Sequence, residues 1–173
     1  SAAFYAAETK GVLAALDKVA LGPREVLTRL NAIWCATHPR QVFLTAIYGI
    51  FDPGSGTFVF ARAGHPTGFL RRAGGAVERL HPKGIGIGMN RDRFEELLEL
   101  AEGRLDAGDS LFFFTDGLSE AQDPEGNLFG EERLEAALAE GQGDPKTAVL
   151  LAVEAFLQGR PLEDDLTLLV LQR

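Results

Sequence analysis

The stretch Leu111-Phe112-Phe113-Phe114-Thr115-Asp116-Gly117-Leu118-Ser119-Glu120 organises the rest of the chain. Four large apolar residues run without a break and stop at Thr115-Asp116-Gly117. A short apolar run closed by a Gly-containing turn predicts a strand buried on both faces. Asp116 then stands at the tip of a core strand. Gly117 leaves room for backbone beside that carboxylate, and Glu120 adds a second acidic group four residues on. A carboxylate near a core is costly unless it is paired or bound to a cation. Two readings follow: Asp116 opens an ordinary Asp-Gly turn, or it is a ligand.

A second acidic strand end lies near the C-terminus, in Glu163-Asp164-Asp165-Leu166-Thr167-Leu168-Leu169-Val170-Leu171. Two adjacent aspartates precede another strand that is apolar on both faces. If the two strands are neighbours, the carboxylates converge. Neither motif contains Lys, His or Cys, and carboxylates alone suit a hard cation such as Mg2+ or Mn2+. The competing reading makes Asp164 and Asp165 solvated turn residues.

The 173 residues fit one domain with a sizeable core, and 46% hydrophobic with 24% charged content is that of a globular chain. A net charge of −8 argues against a general nucleic-acid binder, which needs a basic surface, and against attachment to anionic membrane. No apolar run reaches the roughly 18 residues of a membrane span, and no signal peptide is visible. Cys35 is the only cysteine, which excludes an internal disulfide and fits a core thiol in a cytoplasmic protein. The chain opens on Ser1-Ala2-Ala3, without Met, directly in a helical pattern. A single domain over 1–173, incomplete at its N-terminus, is the expectation.

The 3.6-residue period predicts a helix over 1–20 and another from Pro23 to Thr37, ended by His38-Pro39. Phe43–Asp52 and Thr57–Gly64 read as a hairpin around Pro53-Gly54-Ser55-Gly56. Gly68–Arg72 and Ala76–Leu80 form a second hairpin. Gly84-x-Gly86-x-Gly88 lacks the spacing of a dinucleotide fingerprint and reads as a flexible loop. Phe94–Glu102 fits a helix or a strand, and Asp106 and Asp109 read as turn formers. After the loop Gln122–Asn127 come helices at Gly130–Glu140 and Asp144–Gln158, with Asp144 as N-cap and Pro145 in the first turn. Leu166–Leu171 is the last strand. About six hairpin-linked strands and four helices give α+β with antiparallel sheets.

Five pieces in order then resemble a known family: Phe43-Leu44-Thr45-Ala46-Ile47-Tyr48-Gly49, Ala63-Gly64-His65-Pro66, Thr115-Asp116-Gly117-Leu118-Ser119-Glu120-Ala121, Leu128-Phe129-Gly130-Glu131-Glu132-Arg133-Leu134, and Asp164-Asp165-Leu166-Thr167-Leu168-Leu169-Val170. The sequence is similar to the PPM-type (protein phosphatase 2C-like) serine/threonine phosphatases, in the bacterial stage II sporulation protein E and sigma-factor regulator branch. The resemblance implies a four-layer α/β/β/α sandwich of two antiparallel sheets, with Phe94–Glu102 as a strand. It implies hydrolysis of phosphoserine or phosphothreonine on a protein, using two Mn2+ or Mg2+ ions. Asp116 and Asp164 match the metal-ligand positions on which catalysis depends. Asp165 matches a position often Asn in the wider superfamily. Glu120 matches a carboxylate linked to a third, weaker metal. His65 stands where many relatives have Asp in a Gly-Asp pair, either in the cleft or as part of a turn.

One departure is large. The family's Gly-Asp strand and its Asp-x-x-Gly-His-Gly motif, which bring the metal-bridging Asp, are absent from this chain. This chain is therefore expected to be inactive by itself. The implied partner is a phosphorylated anti-anti-sigma factor-like protein, with an upstream sensor domain in the parent protein and a homodimer allowed. The competing class is a truncated or degenerate phosphatase-like domain acting as a binding or dimerisation module. A two-carboxylate glycosidase is disfavoured because one Trp and two Tyr make a poor sugar cleft.

Overall fold

The structure is a computed structural model that describes residues 2–16, 18–141 and 144–173. In chain order the elements are α1 (Ala2–Leu16), α2 (Pro23–Thr37), β1 (Ala46–Phe51), β2 (Thr57–Ala63), β3 (Gly68–Arg71), β4 (Val77–Leu80), a 3-10 turn at Glu95–Leu97, β5 (Leu100–Arg104), β6 (Ser110–Phe114), the one-turn α3 (Asp116–Ser119), α4 (Gly130–Glu140), α5 (Pro145–Leu157) and β7 (Leu168–Gln172). They divide into two compact units, one of residues up to 65 with 81–104, the other of 66–80 with 105–173. Each unit carries one antiparallel sheet with helices, so the class is α+β with two antiparallel sheets.

In the first unit the sheet order is β1-β2-β5. β1 and β2 pair from Ala46↔Ala63 to Phe51↔Phe58, closing the predicted hairpin. α2 begins with Pro23 at its first turn, where a missing N–H costs nothing. Its stripe of Leu27, Leu30 and Trp34 packs with Ala61, Ala63, Ile87, Phe94 and Leu98 into one core. At its end the His38 N–H donates to the Trp34 carbonyl at 2.9 Å, and the His38 ring stacks on the Trp34 indole at 3.9 Å between centroids. α1 contributes only partly buried Tyr5, Val12 and Leu13 to this core.

Three expectations shift here. α1 stops at Leu16, and Val19 is exposed rather than continuing a helical stripe. β1 starts at Ala46 rather than Phe43, because Phe43 is exposed and Leu44 makes only an isolated bridge to Ile87. Phe94–Glu102 is not a strand throughout. Phe94 and Leu98, four apart, both reach the core across the 3-10 turn, and the ladder to β2 runs over Leu100–Arg104. The glycine loop is a loop, but a tightly packed one. A Cβ at Gly84 would sit 1.7 Å from the Arg62 carbonyl oxygen, and Gly88, at φ +94°, would press a Cβ into the Trp34 ring and the Val42 carbonyl.

In the second unit the sheet order is β4-β3-β6-β7. All five residues of β6 are buried, as an unbroken apolar run requires. Phe112 and Phe114 pack with Phe69, Leu118, Phe129, Leu134, Leu138, Val149 and Val153. α4 runs Gly130–Glu140 and ends at Gly141, as predicted. Asp144 caps α5, its carboxylate accepting from the Lys146 and Thr147 N–H groups. β7 is an edge strand that begins two residues later than the apolar pattern suggests, with Leu169 exposed. No helix among the described residues is long and apolar enough to cross a membrane.

Candidate functional site

The antiparallel pairing of β6 with β7 runs from Ser110↔Gln172 to Phe114↔Leu168. The end of β6 and the start of β7 therefore lie side by side. Beyond the ladder, Thr115 extends the contact: its N–H donates to the Thr167 carbonyl at 3.1 Å, its hydroxyl accepts from the Thr167 N–H at 3.0 Å, and that hydroxyl donates to the Asp165 carbonyl at 3.2 Å. Asp116 follows as the first residue of α3. Gly117 is the point of closest approach, since a Cβ there would lie 2.5 Å from the Asp165 carbonyl oxygen. The room this glycine leaves is filled by the backbone of the other acidic motif.

The two acidic motifs thus share one end of the second unit's sheet. Asp116, Glu120, Asp164 and Asp165 are all exposed, and none makes an ion pair among the described residues. The Asp116 carboxylate accepts one hydrogen bond, from the Gly117 N–H at 3.1 Å. The Asp164 carboxylate accepts one from the Asp165 N–H at 2.7 Å. Most of their oxygen lone pairs stay available, and hard anionic oxygens suit Mg2+ or Mn2+. Glu120 stands at the end of α3, its N–H donating to the Asp116 carbonyl at 2.8 Å. The donor chemistry fits such a cation, but the set is partial: among the described residues no group of three or more His, Cys, Asp or Glu is gathered to hold a metal ion.

The 160–165 segment is anchored from below. Arg160 donates to the Asp123 carbonyl at 2.9 Å and to the Gln122 side-chain oxygen at 3.1 Å, and pairs with Glu163. Asp123 is buried; the Asn127 side-chain amide leads the interactions that hold its carboxyl below the usual range. Neither Thr115 nor Arg160 stands out in the sequence as a site residue. A Thr directly before Asp-Gly carried some signal for the first; an isolated Arg in a loop carried none for the second.

His65 lies in the first unit. It follows Gly64, whose φ is +70° and where an added Cβ would lie 2.8 Å from the Gly86 nitrogen, the marks of a tight bend. The His65 carbonyl accepts from the buried Arg62 guanidinium at 2.6 Å, and the same guanidinium donates to the Pro82 carbonyl at 3.0 Å. The turn is therefore fixed by its backbone.

The architecture is that of the PP2C-type phosphatase domains. The PP2C phosphatase domain of SpoIIE from Bacillus subtilis, solved with a fragment of its regulatory domain, superposes with a TM-score of 0.76 at 21% identity, covering 96% of this chain and 49% of that one. The same phosphatase domain presoaked with Mn gives 0.63 at 22% identity, covering 95% and 71%. The chain belongs to the stage II sporulation protein E (SpoIIE) family, which matches residues 1–173. It is 27% identical over 171 residues to the phosphoserine phosphatase RsbU of Bacillus subtilis, covering 95% of this chain and 49% of that protein. It is 27% identical over 136 residues to protein IcfG of Synechocystis, covering 76% of this chain and 21% of that protein. The chain thus spans half or less of the length of these curated relatives.

Proposed function

We propose that this chain is the greater part of a protein-serine/threonine phosphatase domain that removes phosphate from phosphoserine or phosphothreonine on a regulatory protein. The substrate we infer is a phosphorylated anti-anti-sigma factor in the cytoplasm. The observation that carries this reading is the junction of Thr115-Asp116-Gly117 with Asp164-Asp165-Leu166-Thr167 at one end of β6 and β7, within a chain of the SpoIIE family. The name of its relative RsbU, a phosphoserine phosphatase, supports the reaction class.

In this reading Asp116 and Asp164 hold Mn2+ or Mg2+, with Glu120 and Asp165 on the same two acidic motifs. Bound there, the metal pair supplies a low-pKa water and neutralises charge on the phosphoryl group. The chain's own part is to keep these carboxylates unpaired and in fixed register. Thr115 and Gly117 lock the two acidic motifs together, and Arg160 holds the second motif from the other side. With fewer than three gathered ligands among the described residues, residues 1–173 alone bind the cation weakly, and further ligands come from elsewhere in the parent protein.

The test is hydrolysis of p-nitrophenyl phosphate and a phosphoserine peptide with millimolar Mn2+, by residues 1–173 and by the longer parent protein. We expect metal-dependent turnover only in the longer protein, lost on the order of a hundredfold or more in Asp116→Ala and in Asp164→Ala. Unaltered turnover in either variant excludes the assigned ligand. No turnover by the longer protein, with partner binding retained, would establish a binding module in place of an enzyme.

A further inference from the structure

A polar pocket of about 300 Å3 lies wholly within the first unit, between the C-terminal end of α2 and the 88–92 loop. Trp34 and Cys35 of α2 line one side, Arg40 of the following loop another, and Asn90, Arg91 and Asp92 the third. Neither the Arg40 nor the Arg91 guanidinium makes a hydrogen bond or ion pair among the described residues. This contrasts with Arg29, Arg71, Arg72, Arg79, Arg93 and Arg160, each of which has a partner. Asp92 is the only carboxylate among the described lining residues, so the lining carries two guanidinium groups to one carboxylate in a chain whose net charge is −8.

The wall is rigid because a buried amide holds it. Asn31 is 1% exposed. Its side-chain oxygen accepts from the Gly88 N–H at 2.8 Å, and its side-chain nitrogen donates to the Asn90 carbonyl at 3.0 Å. Asn90 in turn accepts from the Asp92 and Arg93 N–H groups at 3.1 and 3.0 Å. The N–H groups of Asn90 and Arg91 themselves have no partner among the described residues. The lining thus carries two uncommitted guanidinium forks, and its 90–91 segment two uncommitted backbone N–H groups, on a backbone braced by Asn31. A carboxylate is satisfied by a single fork, whereas a tetrahedral oxyanion has oxygens enough to engage both forks and the loop donors.

We infer that the pocket formed by Trp34, Arg40 and the Asn90–Asp92 loop is a phosphate-binding site. It needs no metal, and it stands independently of the phosphatase reading. Two sources would present the same chemistry: free inorganic phosphate, or a phosphoryl group carried on a peptide.

Trp34 is the chain's only tryptophan and lines the pocket, so its fluorescence reports occupancy directly. Residues 1–173, without added metal and at constant ionic strength, are titrated with inorganic phosphate, with a phosphoserine peptide and with acetate. We expect a saturable change with phosphate, the peptide or both, at least tenfold weaker with acetate and at least tenfold weaker in Arg40→Gln/Arg91→Gln. Lys10→Gln, which alters the neighbouring apolar groove, should titrate like wild type. The tighter of the two phosphate ligands identifies the source. Equal responses to acetate and phosphate, an unchanged response in the double variant with its circular dichroism intact, or no saturable response at all would overturn the site.

Discussion

β6 carries an aspartate at each end, and the two have opposite fates. At its start Asp109 is 3% exposed. One carboxylate oxygen accepts from the Arg72 guanidinium at 2.7 Å and the Asp106 N–H at 3.0 Å, the other from the Ala73 N–H at 2.9 Å. Burial by itself would raise its pKa; the Asp106 N–H, the Arg72 guanidinium and the Ala73 N–H outweigh that and hold it below the usual carboxylate range. At the far end Asp116 is exposed, and among the described residues its carboxylate accepts only from the next residue's N–H. Both sit in short turns with a glycine beside them. The structural carboxylate has committed its lone pairs to its own fold; the other keeps them for something the fold does not supply.

The sharpest way to break that comparison is to delete both carboxylates and measure stability by urea denaturation of residues 1–173. Asp109→Ala removes the acceptor that two backbone N–H groups and the Arg72 guanidinium share and should cost about 2–4 kcal/mol. Asp116→Ala should stay within about 0.5 kcal/mol of wild type. Equal losses would mean that Asp116 is structural too.

A smaller effect is expected from Gly117→Ala. The new Cβ would meet the Asp165 carbonyl oxygen at 2.5 Å, and relieving that overlap moves backbone, at a cost of about 1–3 kcal/mol. In the longer protein the same change should weaken Mn2+ binding, read by titration calorimetry, while Gly74→Ala, where nothing lies near the added carbon, should not. If Gly117→Ala alters neither quantity, the two acidic motifs are not held in register by this contact.

The smallest effect is in pH. Because the folded pKa of Asp109 is lowered, its contribution is fully present above the ordinary Asp value of about 3.9 and is lost as pH falls through the lower folded value. The melting temperature of wild type should therefore fall below about pH 4, and Asp109→Asn should fall less steeply over the same window. Asp123 and Asp144, also lowered, keep some acid sensitivity in that variant. Parallel profiles would show that Asp109 is not the group responsible.

Much of the second unit was legible in the chain. Leu111–Phe114 announced a doubly covered strand because an unbroken apolar run has no solvent face to offer. α4 and the Asp144-Pro145 start of α5 follow from local backbone chemistry, a glycine stop and an aspartate cap, which act within a few residues. The first unit was less legible at its edges. The Phe43–Thr45 stretch has strand composition, yet pairing begins only at Ala46, since a ladder needs a partner as well as a propensity. In Phe94–Glu102 a helical and a strand period overlap, and burial of Phe94 and Leu98 settles them into a turn followed by a strand.

By itself the sequence determined the α+β class, the two hairpins, the helix caps and the two acidic strand ends, because each rests on periodicity or on backbone chemistry between near neighbours. Tertiary structure alone decided that β6 and β7 are adjacent, that Gly117 yields its space to the Asp165 carbonyl, and that Asp109 is ion-paired while Asp116, among the described residues, is not. These depend on contacts between residues some 37 to 62 positions apart, and no local pattern encodes which distant groups a carboxylate will meet.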